Sequence, residues 1–391
     1  MVMQYAAQPG IVFVVSKAVN IEWMKAQPEI FLPRHIPVSG WAKLWPAQLT
    51  PPQACGHLHR MKNLLTDIEG VSVGHADDAT LASGVTAILF DKPAVASVDV
   101  RGGGPGTRED ALLDPVSTVD AIDAITLAGG SAFGLEAGGG VQSWLHERGR
   151  GFRIRDAVIP IVTGAICFDL LNGGNKAWGR FSPYRDLGYA AANAAASEFA
   201  LGSVGAGFGA TTANFKGGLG SASAVTAAGV KVAALAVVNA VGSVTVGDGP
   251  WFWAAPFEVD GEFGGRGMPS SFTPDMHRLR IKGGREATAV ENTTLVVVVT
   301  ESILTKPQAK RLAMIAQTGM ARAIHPVHAP LDGDVVFAAA TGAKAIDPLF
   351  GLTELGMVAA NVVARSIARG VYHAAALPFL GALPAWKDRF G

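Results

Sequence analysis

Short, continuously apolar runs alternate with Ala-rich stretches of helical period along most of this chain. Ile68–Val73, Val85–Phe90 and Ala96–Arg101 read as strands, and Ala121–Leu127 as a buried one. Val158–Leu170 reads as a strand pair or one long strand. Ala222–Thr226, Val230–Asn239, Thr293–Thr300 and Asp334–Thr341 have the same character. Helices are expected over Phe133–Arg148, Tyr189–Phe199, Lys306–Ala323 and Leu352–His373. In the third of these, Leu312, Ile315 and Ala316 share one face. Strands that are apolar on both sides need cover on both faces. The pattern therefore predicts an α/β protein with sheets under helical layers. It carries no strand order and no internal repeat.

Two stretches break the pattern. Residues 1–60 hold three of the eight Trp, many Pro and no sustained period. They read as an extension to a single catalytic domain over 61–391, with Met61 as a natural start. Cys55-x-His57-x-His59 matches no closed tetrahedral zinc pattern. Residues 247–292 form a long, polar connection without strands, and Met276–Arg285 carries several basic residues. Compact domains rarely keep such a loop without a reason.

Composition narrows the classes. Hydrophobic residues make up 49% and charged ones only 16%, so much surface is buried, and a homo-oligomer is expected. With net charge +0, no basic patch argues for nucleic acid. No segment reaches the roughly 18 apolar residues of a membrane span. The run at 10–15 is too short for a signal peptide, and two cysteines make no disulfide framework. The cytoplasm is the expected compartment. Cys167, inside an apolar run, reads as a buried small hydrophobe.

The densest chemistry lies at Asn292-Thr293-Thr294, directly before Leu295–Val299. Cleavage before Thr293 would make its Oγ a nucleophile and its freed α-amine the adjacent base. That amine has a reference pKa of about 8, so it takes a proton near neutral pH. The same residues also fit a turn, a strand start and a glycosylation sequon. Asn239 ends an apolar strand and could donate its amide to an oxyanion, or simply end a turn. Asp332-Gly333-Asp334 could hold a protonated amine and orient the Thr hydroxyl. His325-x-x-His328 beside these carboxylates is the best metal candidate, although Pro326 and Pro330 break any helix there. Gly129–Gly134 and Gly205–Ala210 lack a dinucleotide or phosphate fingerprint, so no cofactor is expected. Their backbone N–H groups could still face an anion.

Eight segments in order resemble the DmpA-type family of autoprocessed aminopeptidases and amidases. Its relatives include β-peptidyl aminopeptidases, L-aminopeptidase/D-esterases and nylon-oligomer endo-hydrolases. The segments are 66–75, 99–109, 127–135, 202–207, 216–223, 237–242, Asn292-Thr293-Thr294 and Leu331–Asp334, within about Met61–His373. The resemblance implies a four-layer αββα sandwich of N-terminal-nucleophile type, shared with ornithine acetyltransferases. It implies self-cleavage at Asn292-Thr293 into chains 61–292 and 293–391. It makes Thr293 the nucleophile, Asn239 the oxyanion residue, and Asp332 and Asp334 the supporting carboxylates. The implied substrate is a small or short-peptide amide. Two positions depart from the family. Phe168 stands where a Tyr is frequent, and Asn214 lies nearest the place of a lysine in the glycine-dense loop. Both are substrate-pocket candidates. The competing readings are an acyltransferase of the ornithine type, and a non-catalytic or metal-dependent binding protein built on His325 and His328.

Overall fold

The chain divides into two compact units, Met1–Arg60 and Met61–Gly391. In the first, Val2–Met3 pairs antiparallel with Phe13–Val14. The computed structural model otherwise describes residues 61–283 and 292–391. The reading of 1–60 as an extension and the Cys55, His57, His59 spacing fall outside the described residues.

The second unit is built on one mixed sheet of nine strands. They are β1 (Val71–Asp78), β2 (Ser83–Val100), β3 (Thr107–Arg108), β4 (Ala121–Ala128), β7 (Val162–Ile166), β8 (Gly218–Val225), β9 (Lys231–Asn239), β10 (Thr293–Ser302) and β11 (Val335–Lys344). A separate hairpin joins β5 (Phe152–Ile154) to β6 (Ala157–Ile159), and Pro160 then parts it from β7. The helices are α1 (Ala137–Glu147), α2 (Tyr184–Asn193), α3 (Lys306–Ala321), α4 (Phe350–Tyr372) and α5 (Trp386–Phe390). The order across the sheet is β8-β9-β10-β11-β2-β4-β7-β3, with β1 beside β2.

Strand β2 explains why one sheet makes two layers. Its first half, Ser83–Phe90, pairs with β1 and β4, whereas Val95–Val100 pairs with β11. Between them the register with β4 slips from Leu89 to Ala94, and Asp91, Lys92 and Pro93 are exposed. The sheet thus folds over on itself. Side chains alternate along each strand, so every strand feeds two cores. Leu235, Val237, Leu295, Val297 and Phe337 of one half meet Val73, Ile88, Ile125 and Leu127 of the other in a central core. The alternate residues Ala234, Ala236, Val296 and Val298 pack under α3 and α4, against Leu312, Ala316, Val363 and Ile367. On the far side Val85, Ala87, Ala124 and Val162 pack under α1 and α2, against Val141, Leu145 and Tyr184. Helices, sheet, sheet, helices: the αββα sandwich is the observed architecture.

The two outer helices on the far side touch almost backbone to backbone. A Cβ on Gly140 of α1 would lie 1.9 Å from the Arg185 carbonyl, and one on Gly188 of α2 would lie 2.2 Å from that of Ala137. Helix α2 also starts and stops earlier than its periodicity predicts. Pro183 opens it, and beyond Asn193 the backbone of Ala196 leaves to bond Val73 in both directions. The N-terminal turn of the expected helix from Phe133 is a 3-10 segment, Ser131–Glu136. The strand-free reading of 247–292 holds over the described part, which carries only the short 3-10 turns Ala255–Phe257 and Pro274–His277. No helix among the described residues is long and apolar enough to cross a membrane.

Candidate active site

Strand parity brings the predicted residues together. On β10, Leu295, Val297 and Val299 face the central core, so Thr293 faces the same way. On β9, Ala233, Leu235 and Val237 face it, and so does Asn239. The antiparallel register pairs Asn239 with Thr293 directly. The parallel register of β10 with β11 pairs Leu295 with Val335, and an isolated bridge extends it to Asn292 and Asp332. Gly333 therefore lies beside Thr293. The site sits at one end of the gap between the two sheets, where the chain after β7 reaches across from the opposite layer. Thr294 points instead toward the helix side, with its hydroxyl unpaired among the described residues.

Thr293 is buried, and its Oγ donates to the carbonyl oxygen of Asn292 at 2.5 Å. The same oxygen accepts the Gly333 N–H at 2.7 Å. Gly333 is a glycine for a local reason: a Cβ there would lie 2.5 Å from Thr293 Oγ and 2.9 Å from the Gly104 carbonyl. The loop 101–104 packs on this turn, with Arg101 and Gly102 N–H on the Asp334 carbonyl and Gly104 N–H on that of Asp332.

Asn239 is held on three sides. Its Oδ1 accepts the Thr211 N–H at 3.0 Å and the Lys282 ammonium at 3.0 Å. Its Nδ2 donates to the Phe168 carbonyl at 2.9 Å. A carboxamide nitrogen carries two N–H groups, and Phe168 takes one of them.

The two carboxylates divide their work differently from the expectation. Asp334 makes no hydrogen bond to the Thr293 hydroxyl among the described residues: its Oδ1 accepts the Thr294 N–H at 2.8 Å, and its Oδ2 takes the His328 N–H and ring Nδ1 at 3.1 and 2.9 Å. It pins the head of β10 rather than the hydroxyl. Asp332 has one oxygen on the Ala329 N–H at 3.3 Å, while Oδ1 is buried without a hydrogen bond among the described residues. Burial, and then the neighbouring Asp334 charge, push its pKa up to about 7. A carboxyl raised in this way holds its proton more firmly than an exposed aspartate and is a candidate for proton exchange. Opposite it, burial lowers Lys282 to about 7 against the pull of nearby acidic groups, Asp332 among them.

Lys282 lies at the site although nothing in the sequence reading pointed to it. It was one of several basic residues in a polar connection, with no spacing to single it out. The two pocket candidates have different contacts. Phe168 supplies its carbonyl to Asn239. The Asn214 side chain bonds Thr245, Gly247, Ser243 and Thr212 instead of Asn239 or Thr293. His325 and His328 do not converge either: the His325 ring leans on Trp253, and His328 serves Asp334. Among the described residues no group of three His, Cys, Asp or Glu side chains is placed to hold a metal ion. The glycine turn after β4 is not an open anion site, since the Gly130 N–H is on Asp169 at 2.7 Å and the Ser131 N–H on the Cys167 carbonyl at 3.0 Å. Cys167 is buried and its thiol pushed up in pKa, chiefly by that burial, which suits a packing role.

Solved structures share this fold. The L-aminopeptidase D-Ala-esterase/amidase of Ochrobactrum anthropi, described as a variant of the Ntn hydrolase fold, aligns with TM-score 0.61 and 21% identity, covering 83% of this chain and 90% of its own. A β-aminopeptidase of Burkholderia sp. aligns with TM-score 0.58 and 22% identity over the same shares. The chain thus has the fold of these Ntn-type hydrolases, and Thr293 stands at the head of one of its central strands. The sequence profile of Peptidase family S58 matches residues 63–381. A protein of Mycobacterium tuberculosis named as an uncharacterised aminopeptidase is 42% identical over 347 residues, covering 84% of this chain and 98% of its own length. A 6-aminohexanoate-oligomer endohydrolase of Kocuria sp. is 30% identical over 286 residues, covering 72% and 75%. The chain belongs to Peptidase family S58 and is a hydrolase of peptide or amide bonds.

Proposed function

We propose that the chain cuts itself between Asn292 and Thr293, and that the new N-terminal Thr293 then hydrolyses N-terminal amide bonds of small peptides or amino-acid amides. One observation carries this reading: the Thr293 hydroxyl rests on the carbonyl it would attack, and the Gly333 N–H already polarises that carbonyl. In the first step Oγ bonds to the Asn292 carbonyl carbon and the C–N bond breaks. The hydroxyl proton passes through a neighbouring base to the leaving nitrogen. Asp332, with its free oxygen and near-neutral pKa, is the candidate carrier. Breaking the C–N bond frees the Thr293 amine, and water then hydrolyses the ester to release the Asn292 carboxylate and restore the Thr293 hydroxyl.

Turnover repeats the chemistry on a substrate. The freed amine takes the Oγ proton, Oγ adds to the substrate carbonyl, and the leaving amine departs with a proton. The free N–H of Asn239 Nδ2 stabilises the oxyanion, and water resolves the acyl-enzyme. The named activities of the relatives, aminopeptidase and 6-aminohexanoate-oligomer endohydrolase, favour a short aliphatic amide. A β-lactone tests the nucleophile, because ring opening leaves a slowly hydrolysed ester. Peptide mapping by mass spectrometry after treatment is expected to find the adduct on Thr293. Loss of activity with the adduct on another side chain sinks the proposal.

A further inference from the structure

We infer that Lys282 is a positioning residue for Asn239: its ammonium fixes which end of the carboxamide faces the reaction and strengthens that end as a donor. The inference rests on the reading of Thr293 as nucleophile and Asn239 as oxyanion donor.

The geometry is specific. Lys282 lies ten residues before the bond proposed to break, in the polar connection after β9. Its backbone N–H bonds the Val241 carbonyl at 2.9 Å, two residues beyond Asn239. Upstream, Arg280 ties the segment to Asp275 at 3.0 Å and Asp248 at 3.4 Å. From that anchor the ammonium reaches Asn239 Oδ1 at 3.0 Å and the Asn239 carbonyl at 3.4 Å. Its head is enclosed although the residue as a whole is half-buried, and that enclosure depresses its pKa.

A carboxamide is nearly symmetric in shape, and its two ends have opposite hydrogen-bonding character. Turned around, Asn239 would present an acceptor to a developing oxyanion. Two donors, the Thr211 N–H and Lys282, exclude that orientation by occupying Oδ1. A charged donor on the oxygen also draws electron density from the amide and makes the opposite N–H a better donor. The lysine forms no bond to reacting atoms. Cys167 and Asp169 after β7, Asp332 before β11, and the second ammonium at Lys216 before β8 are the ionisable groups around it.

Lys216 is the control. It is buried too, but its ammonium is spent on the Gly207, Ala210 and Gly217 carbonyls, so it holds the glycine loop and not Asn239.

The test uses the full-length chain with K282M and K282R, beside wild type and T293A. Self-cleavage is followed over time on denaturing gels, and kcat and KM are measured on the cleaved fraction with an amino-acid p-nitroanilide. Thermal melting checks the fold. Methionine keeps the length and loses the charge. K282M is expected to lower kcat about 10- to 100-fold, the range of a weakened oxyanion donor, with KM within about threefold. K282R keeps a charged donor and is expected to restore at least a third of the wild-type kcat. A K282M enzyme with unchanged kcat overturns the inference, as does a K282R loss equal to that of K282M. An uncleaved wild type, or an active T293A, instead refutes the underlying nucleophile assignment.

Discussion

The Thr293→Ala variant is expected to remain a single uncut chain and to lose nearly all amide hydrolysis. Methyl has no lone pair to attack the Asn292 carbonyl, so the α-amine is never freed, and both nucleophile and base are missing at once. Denaturing gels should show one band after prolonged incubation. Turnover should fall at least about 10⁴-fold, equivalent to roughly 5 kcal/mol of transition-state stabilisation. The fold is expected to survive, because Thr293 is packed at a strand head whose neighbours Leu295 and Val297 keep the core. Thr293→Ser keeps Oγ and should still cut itself. An active, uncleaved Thr293→Ala chain would remove the nucleophile from the account.

The second large effect falls on Asn239. Asn239→Ala removes the proposed oxyanion donor and leaves the Lys282 ammonium and Thr211 N–H without their acceptor. A kcat loss of about 10²–10³ is expected, or about 3–4 kcal/mol. A stability loss of roughly 1–3 kcal/mol should accompany it, because buried donors are left unpaired. Asn239→Asp separates the two. The carboxylate still accepts from Lys282 and Thr211 but cannot donate from the other end. It should remain as inactive as the alanine variant while keeping the acceptor for Lys282 and Thr211, at the expense of the bond to the Phe168 carbonyl. An active Asn239→Asp enzyme would show that the oxyanion is held elsewhere. Steady-state kinetics and thermal melting on the three proteins decide it.

Much of this was legible in the chain because buried strands leave a strong mark. The run Leu295–Val299 has no polar interruption, and it became the strand between β9 and β11. Asn239 and Asp332-Gly333-Asp334 were legible as motifs, since each ends or precedes such a run. Strand β2 was harder. Asp91-Lys92-Pro93 breaks its apolar pattern, so it read as two strands, whereas the backbone continues through an exposed bulge from one layer to the other. Helix α2 was displaced in the reading because its Ala-rich end continues past Asn193. The signal that places its start, Ser182-Pro183, was present. The loss of Ala194–Ala196 to a bond with Val73 is tertiary and left no local mark.

The same division holds for the site. Asp334 and Asp332 carry identical chemistry in sequence, two residues apart. Only the register of β10 and β11 sets one on the Thr294 N–H and leaves the other with a free oxygen. Lys282 was invisible because its meaning is a distance to Asn239, 43 residues earlier in the chain. The metal reading of His325 and His328 rested on spacing alone. The structure gives one ring to Trp253 and the other to Asp334.

The most direct test is N-terminal sequencing of the purified wild-type protein separated under denaturing conditions. Two chains are expected, the smaller beginning Thr-Thr-Leu-Val-Val at Thr293. An enzymatically active preparation containing only uncut chain, or a smaller chain beginning at any other residue, would contradict it.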